Sequence, residues 1–93
     1  MNTHQLKTDP EPFDAVWRGL KTFEIRFNDR NFQAGNYLLL LETQHTGDEM
    51  KKGAPLIFTG REYAAIVTHV MSGPAYGLRP GWAILSIKPN LDR

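Results

Sequence analysis

Cysteine is absent from this chain of 93 residues. With it go disulfide frameworks, zinc ribbons and fingers, iron–sulfur ligation and thiol nucleophiles, so stability has to come from packing alone. Long apolar runs are also missing. The leucines from Leu38 to Leu41 form a short stretch, against the roughly 20 residues that a membrane span requires. The start, Met1-Asn2-Thr3-His4-Gln5, lacks the basic and apolar segments of a secretory leader. A cytoplasmic protein with no membrane partner is therefore expected. A surplus of either charge is lacking too, since 11 basic against 10 acidic residues leave +1. Proteins that grip duplex DNA by counterion release carry a clear basic excess, so duplex DNA is not an expected partner. A local site for a nucleotide or a strand end fits this balance.

What is present suffices for one domain. Hydrophobic residues make up 41% of the chain, aromatic residues 11% and charged residues 23%, the profile of a folded soluble domain. We read residues 1–93 as a single domain, with a core over about 4–88 and a tail at 89–93 that frays. Phe13, Val16, Trp17 and Leu20 stand at helical spacing behind Pro10 and Pro12. They predict a short helix over about 10–18, capped by Thr8 or Asp9 and ended by Gly19, with Phe13, Val16 and Trp17 plugging one end of the fold. The period then becomes two. Phe23, Ile25 and Phe27 alternate with Thr22, Glu24 and Arg26, the pattern of a strand half-buried on its apolar face. Residues 37–42 read as a strand covered on both sides, 43–53 as a mobile hairpin loop, and 56–58 as a short strand broken by Thr59-Gly60. Strands over 63–71 and 82–88, joined by a turn-rich segment, complete a small α+β barrel or curled sheet.

The candidate chemistry is concentrated in Gly19-Leu20-Lys21-Thr22-Phe23-Glu24-Ile25-Arg26. Alternation sets Thr22, Glu24 and Arg26 opposite the apolar set, with Lys21 at the start of the strand. One carboxylate between two cations can read a polar planar ligand. The carboxylate takes an N–H donor, while Lys and Arg take phosphate or carbonyl oxygens. The simpler reading is an exposed strand face whose mutual salt bridge is worth about 0–1 kcal/mol. The segment is not a P-loop, because Leu20 separates Gly19 from Lys21 and a strand follows instead of a helix. His4, His45 and His69 show no ligand-like spacing, so no metal and no cofactor is expected; His69 reads as a core or edge residue. No Gly-x-Ser-x-Gly elbow is present, and neither Ser72 nor Ser86 has a base close by in the sequence. Glu24, Glu42 and Glu62 could meet across a small barrel, as any three surface acids could. Trp82 and Tyr76 could stack on a base, although the simpler reading has Trp82 anchoring the core and Tyr76 decorating a turn.

The pattern Gly-x-Lys-x-x-Glu-x-Arg, formed by Gly19, Lys21, Glu24 and Arg26, resembles the signature of the ASCH domain, within the PUA-like superfamily of small β-barrels. The likeness extends over His4-x-Leu6-Lys7, Asn28-Asp29-Arg30, Thr59-Gly60-Arg61 and Gly81-Trp82, and covers about residues 4–88. The chain looks like the bacterial and phage branch of ASCH-like proteins known as a domain of unknown function. This implies a PUA-like barrel of five to six strands with one or two short helices, and a cleft that binds RNA or a modified nucleotide. Lys21, Glu24 and Arg26 fall in that cleft by motif position. Arg30 would add a phosphate contact, and His4 and Lys7 would line the neighbouring wall if the first strand pairs beside the signature strand. The resemblance also implies an enzyme alternative, since some small ASCH proteins are amidohydrolases that deacylate N4-acylcytidine. Their nucleophilic Thr stands three residues after the signature Lys, where this chain has Glu24; the nearest hydroxyl is Thr22. Hydrolysis would cast Lys21 as base, Thr22 as nucleophile or Glu24 as activator of water, and Arg26 as oxyanion donor. A third class is a phage-type adaptor that binds a host protein with its cleft idle.

Overall fold

The computed structural model describes residues 2–91. The chain runs β1 (Thr3–Thr8), α1 (Pro10–Trp17), β2 (Phe23–Phe27), β3 (Tyr37–Thr43), α2 (Gly47–Lys51), β4 (Phe58–Ser72) and β5 (Trp82–Pro89). All strands belong to one sheet in the order β1-β3-β4-β5-β2. The β1–β3 pair is parallel and the other pairs are antiparallel. The fold class is α+β, as expected, with two short helices. The sheet curls strongly, because its two edge strands come within reach of each other's side chains: Arg26 of β2 donates to the backbone carbonyl of Lys7 and the hydroxyl of Thr8 in β1. The long β4 makes the curl possible. It pairs with β3 through its first part and with β5 through its second, with register shifts opposite Leu41–Thr43 and between Val67 and His69. Such bulges sharpen strand twist.

Helix α1 forms where proline and apolar spacing place it. Phe13 and Val16 are fully buried in the core with Leu6, Leu40 and Leu85. Its end is set by Gly19 at φ +75°, which lets the amides of Gly19 and Leu20 return to the carbonyls of Val16 and Ala15. That closure needs the left-handed region and so favours glycine. Trp17 does not plug the fold as expected. It is 49% exposed and stacks on Phe13 from outside.

The remaining departures follow from tertiary pairing. Asp9 is the N-cap of α1, but its side chain makes no cap bond there; Oδ1 accepts instead from the amide of Gly47 at 2.9 Å. Residues 43–53, expected as a mobile loop, contain α2. Thr46 and Glu49 form a reciprocal capping box there, a feature that satisfies two otherwise unpaired amides. We expect Thr46→Ala to cost about 0.5–2 kcal/mol of helix stability. Hydrogen exchange should show faster amides over 47–51 and unchanged ones in β4 and β5. The segment 56–58 is not a separate strand, because β4 starts at Phe58 and continues through Gly60, whose φ is +95°. His69 is an exposed residue beside the second bulge, not a core one. Of the tail expected to fray, Pro89 ends β5 and the amide of Asn90 donates to the carbonyl of Ala64; residues 92 and 93 lie outside those described. No helix among the described residues is long and apolar enough to cross a membrane.

The largest correction concerns β2. The sequence pattern predicts Phe23, Ile25 and Phe27 on the buried face, yet all three are exposed and the buried residue is Glu24, at 2%. Within the described residues, β2 gives the core no apolar side chain. The period of two is correct and the direction is reversed.

Candidate functional site

The reversed β2 places charged groups inside the mouth of the curled sheet. Lys21 leaves the Gly19 closure of α1 and its ammonium donates to Glu24 Oε2 at 2.5 Å. Arg26, two residues beyond Glu24 on the same strand face, donates to Oε1 through Nε at 3.1 Å and Nη2 at 2.8 Å. The signature is thus one physical unit. Gly19 turns the chain, Glu24 is held between two cations, and both cations are fixed in direction by it. A buried carboxylate is tolerated only with this kind of compensation.

Arg26 then crosses the gap between the sheet edges. Nη1 donates to the carbonyl of Lys7 at 3.1 Å and Nη2 to the hydroxyl of buried Thr8 at 3.2 Å. Arg30 makes a parallel crossing, with Nη1 on the carbonyl of Gln5 at 2.7 Å. Guanidinium groups from β2 and from the loop that follows it therefore reach across to β1 where a barrel would have a backbone ladder. Between the two edges lies a cleft of about 430 Å³, within the range of small-ligand sites. Lys7, Lys21, Arg26 and Arg30 line it, with Glu24, Asp9 and Asp29 as the anions, and Phe27 and Trp82 at its apolar side. Lys21 keeps two of its three donors free of Glu24, and Lys7 has no ion-pair partner among the described residues.

The sequence-predicted residues separate accordingly. Lys7, Lys21, Glu24, Arg26 and Arg30 converge on the cleft. His4 does not line it. The first strand pairs with β3, not with the signature strand, and His4 bonds Asn36 Oδ1 at 3.2 Å with its ring edge-on to Phe32. Thr22 is exposed outside the cleft wall, where its carbonyl accepts from the amide of Ile87. Trp82, expected to anchor the core, is 37% exposed and lines the cleft instead; Tyr76 is fully exposed on its turn. From the sequence Thr8 reads only as a helix cap, because nothing local shows that its hydroxyl faces β2. No group of three or more potential metal ligands occurs among the described residues.

Glu24 and Glu42 do not meet, and each carboxylate has its own arginine. Glu42 on β3 is buried and accepts from Arg61 Nε at 3.0 Å, Arg61 Nη2 at 2.7 Å and the hydroxyl of Thr59 at 2.6 Å. The Arg61 guanidinium lies 5.2 Å from both the Phe13 and Trp17 ring centroids, so it ties β4 to α1. These hydrogen bonds and the adjacent positive charge hold the Glu42 carboxyl below its ordinary range, against the opposing effect of burial. This pair is a strut of the fold, and no sequence signal joins residues 19 positions apart. Glu62, the third acid of that set, is exposed beside a smaller depression that Glu42 also lines.

The model of a domain of unknown function, DUF3850, matches residues 3–87, and so includes β1 to β4, most of β5 and every residue that lines the cleft. The chain belongs to this family. A relative by sequence is the uncharacterized 12.9 kDa protein in the GpA 3′ region of Escherichia phage P2, 36% identical over 67 residues. The aligned stretch covers 72% of this chain and 52% of the phage protein, so the chain spans about half the length of that relative.

Proposed function

We propose that this DUF3850 domain is a PUA-like binding module whose cleft takes a nucleotide or the end of an RNA strand. The observation that carries the reading is Glu24, a buried carboxylate that fixes Lys21 and Arg26 at the wall of an open cleft. Cations already oriented before binding lose little freedom on meeting an anion, which favours a phosphate-bearing ligand. Lys7 and Arg30 supply further positive charge on the opposite side and at the rim. Glu24 has its oxygens engaged by both cations, so its role is to position them. The resemblance of the Gly19–Arg26 signature to the ASCH domain, and the curled α+β sheet, support the same assignment. Thr22 lies away from the cleft, and the hydrolytic alternative gains no support from the geometry.

The test is a titration with the four ribonucleoside 5′-monophosphates and with an RNA hexamer containing all four bases. Arg26→Ala is expected to lose about 1–3 kcal/mol of binding, the worth of a charge-assisted hydrogen bond, with circular dichroism confirming the fold. Binding should weaken with added salt. Unchanged affinity in a folded Arg26→Ala protein overturns the site.

A further inference from the structure

The outward face of β2 carries apolar groups that the fold does not use. Phe23, Ile25 and Phe27 are between 39% and 54% exposed, and Trp82 stands opposite Phe27 across the β2–β5 pair. They form a ridge that runs into the cleft, since Ile25, Phe27 and Trp82 also line it. At the cleft end the ring of Phe27 is held in place. It lies so close to Gly81 that a Cβ there would stand 2.8 Å from Cε1, and Trp82 meets it edge-on with centroids 5.9 Å apart at 75°. At the far end the Lys21 ammonium lies 5.1 Å from the Phe23 centroid. Rings oriented in advance yet left half in water do not serve the core, and an exposed apolar strip of this kind marks a contact surface.

Resting on the cleft reading above, we propose that this ridge stacks the bases of a single-stranded RNA whose phosphate sits in the cleft. Charge selects the occupant. The ridge has Lys21 beside its Phe23 end and opens at Phe27 onto a cleft lined by Lys7, Lys21, Arg26 and Arg30, and exposed rings next to a cationic cleft match a polyanion that carries planar bases. A protein segment or a second copy of this chain would cover the rings but bring no phosphate to the cleft, where Lys7 has no ion-pair partner among the described residues and Lys21 keeps two donors free of Glu24.

The experiment compares the RNA hexamer with the mononucleotides on the wild-type domain, Phe23→Leu, Phe27→Leu and a control, Phe58→Leu. Leucine keeps apolar bulk without a ring face, and Phe58 is a comparably exposed ring on β4 outside the cleft. The hexamer should bind more tightly than any mononucleotide. Phe23→Leu should reduce that advantage roughly 5- to 150-fold, the range for one base–aromatic stack. Phe27→Leu should do the same, and Phe58→Leu should leave it unchanged. If the hexamer shows no advantage while the mononucleotides bind and lose affinity in Arg26→Ala, the ridge assignment fails and the cleft stands. If hexamer binding depends on Phe23 but is indifferent to Arg26→Ala, the ridge stands and the cleft reading fails. If neither ligand binds, both fail. A dimer in sedimentation that Phe23→Leu dissolves would give the ridge to a second copy and overturn the proposal.

Discussion

Removing the buried carboxylate as Glu24→Ala is expected to destabilise the domain by about 3–5 kcal/mol, the usual cost of breaking a buried ion pair from one side. Lys21 and Arg26 would lose their shared acceptor, and Arg26 its fixed path across to β1. Domains of this size hold roughly 5–15 kcal/mol in all, so the loss is a large fraction of the total. Urea unfolding should show a lower midpoint at an unchanged slope. A change under about 1 kcal/mol would mean that the two cations reach solvent at no cost and that Glu24 is no organiser. Replacing the whole triad as Lys21→Met, Glu24→Leu and Arg26→Met separates stability from function. Apolar substitution of a complete buried ion cluster is often neutral or stabilising. The triple variant should therefore recover much of the loss while binding no nucleotide.

The second large effect belongs to the strut. Glu42→Ala is expected to cost about 2–3 kcal/mol, since it removes hydrogen bonds from a charged and a neutral donor to a buried carboxylate. Ligand affinity, read at a temperature where the variant is folded, should stay within a factor of two or so, because Glu42 lies outside the cleft. The pair also sets an acid limit. The folded-state value of Glu42 is lowered from its ordinary 4.5. Its contribution is thus fully present above that ordinary value and is lost as pH falls through the lowered one. Stability of the wild-type domain should drop below about pH 4.5 more steeply than that of Glu42→Gln, measured as unfolding midpoint against pH. Identical slopes would show that Arg61 does not hold the carboxylate. Glu49, lowered in the same direction by the backbone amide and hydroxyl of Thr46, adds a smaller acid-sensitive contact on the surface.

What could be read before any tertiary structure was local. Helical spacing behind two prolines placed α1, Gly19 marked its end, and the period of two placed a strand at 23–27 with Glu24 and Arg26 on one side. These follow from backbone geometry, which acts over a few residues. The position of Lys21, three residues before Glu24, was equally visible as a pairing. The capping box of α2 is also present in the sequence as Thr46 and Glu49, within a segment whose polar composition reads as a loop.

Which side of β2 faces inward was not a local property. Alternation assigns side chains to two faces, and only the neighbouring strands decide which face is covered. Here β2 is an edge strand beside a cleft, so its inner side meets β1 across a gap that only long cations can bridge. Full mutual pairing of Lys21, Glu24 and Arg26 makes a charged interior tolerable, and the aromatic set is turned outward as a consequence. The same holds for Thr8, which meets Arg26 only because the sheet curls, and for Arg61, which meets Glu42 only because β3 and β4 pair in this register. The sequence alone determined the elements and the membership of the charged set. The tertiary structure decided their burial, since pairing between distant strands and the desolvation of each group depend on the whole chain.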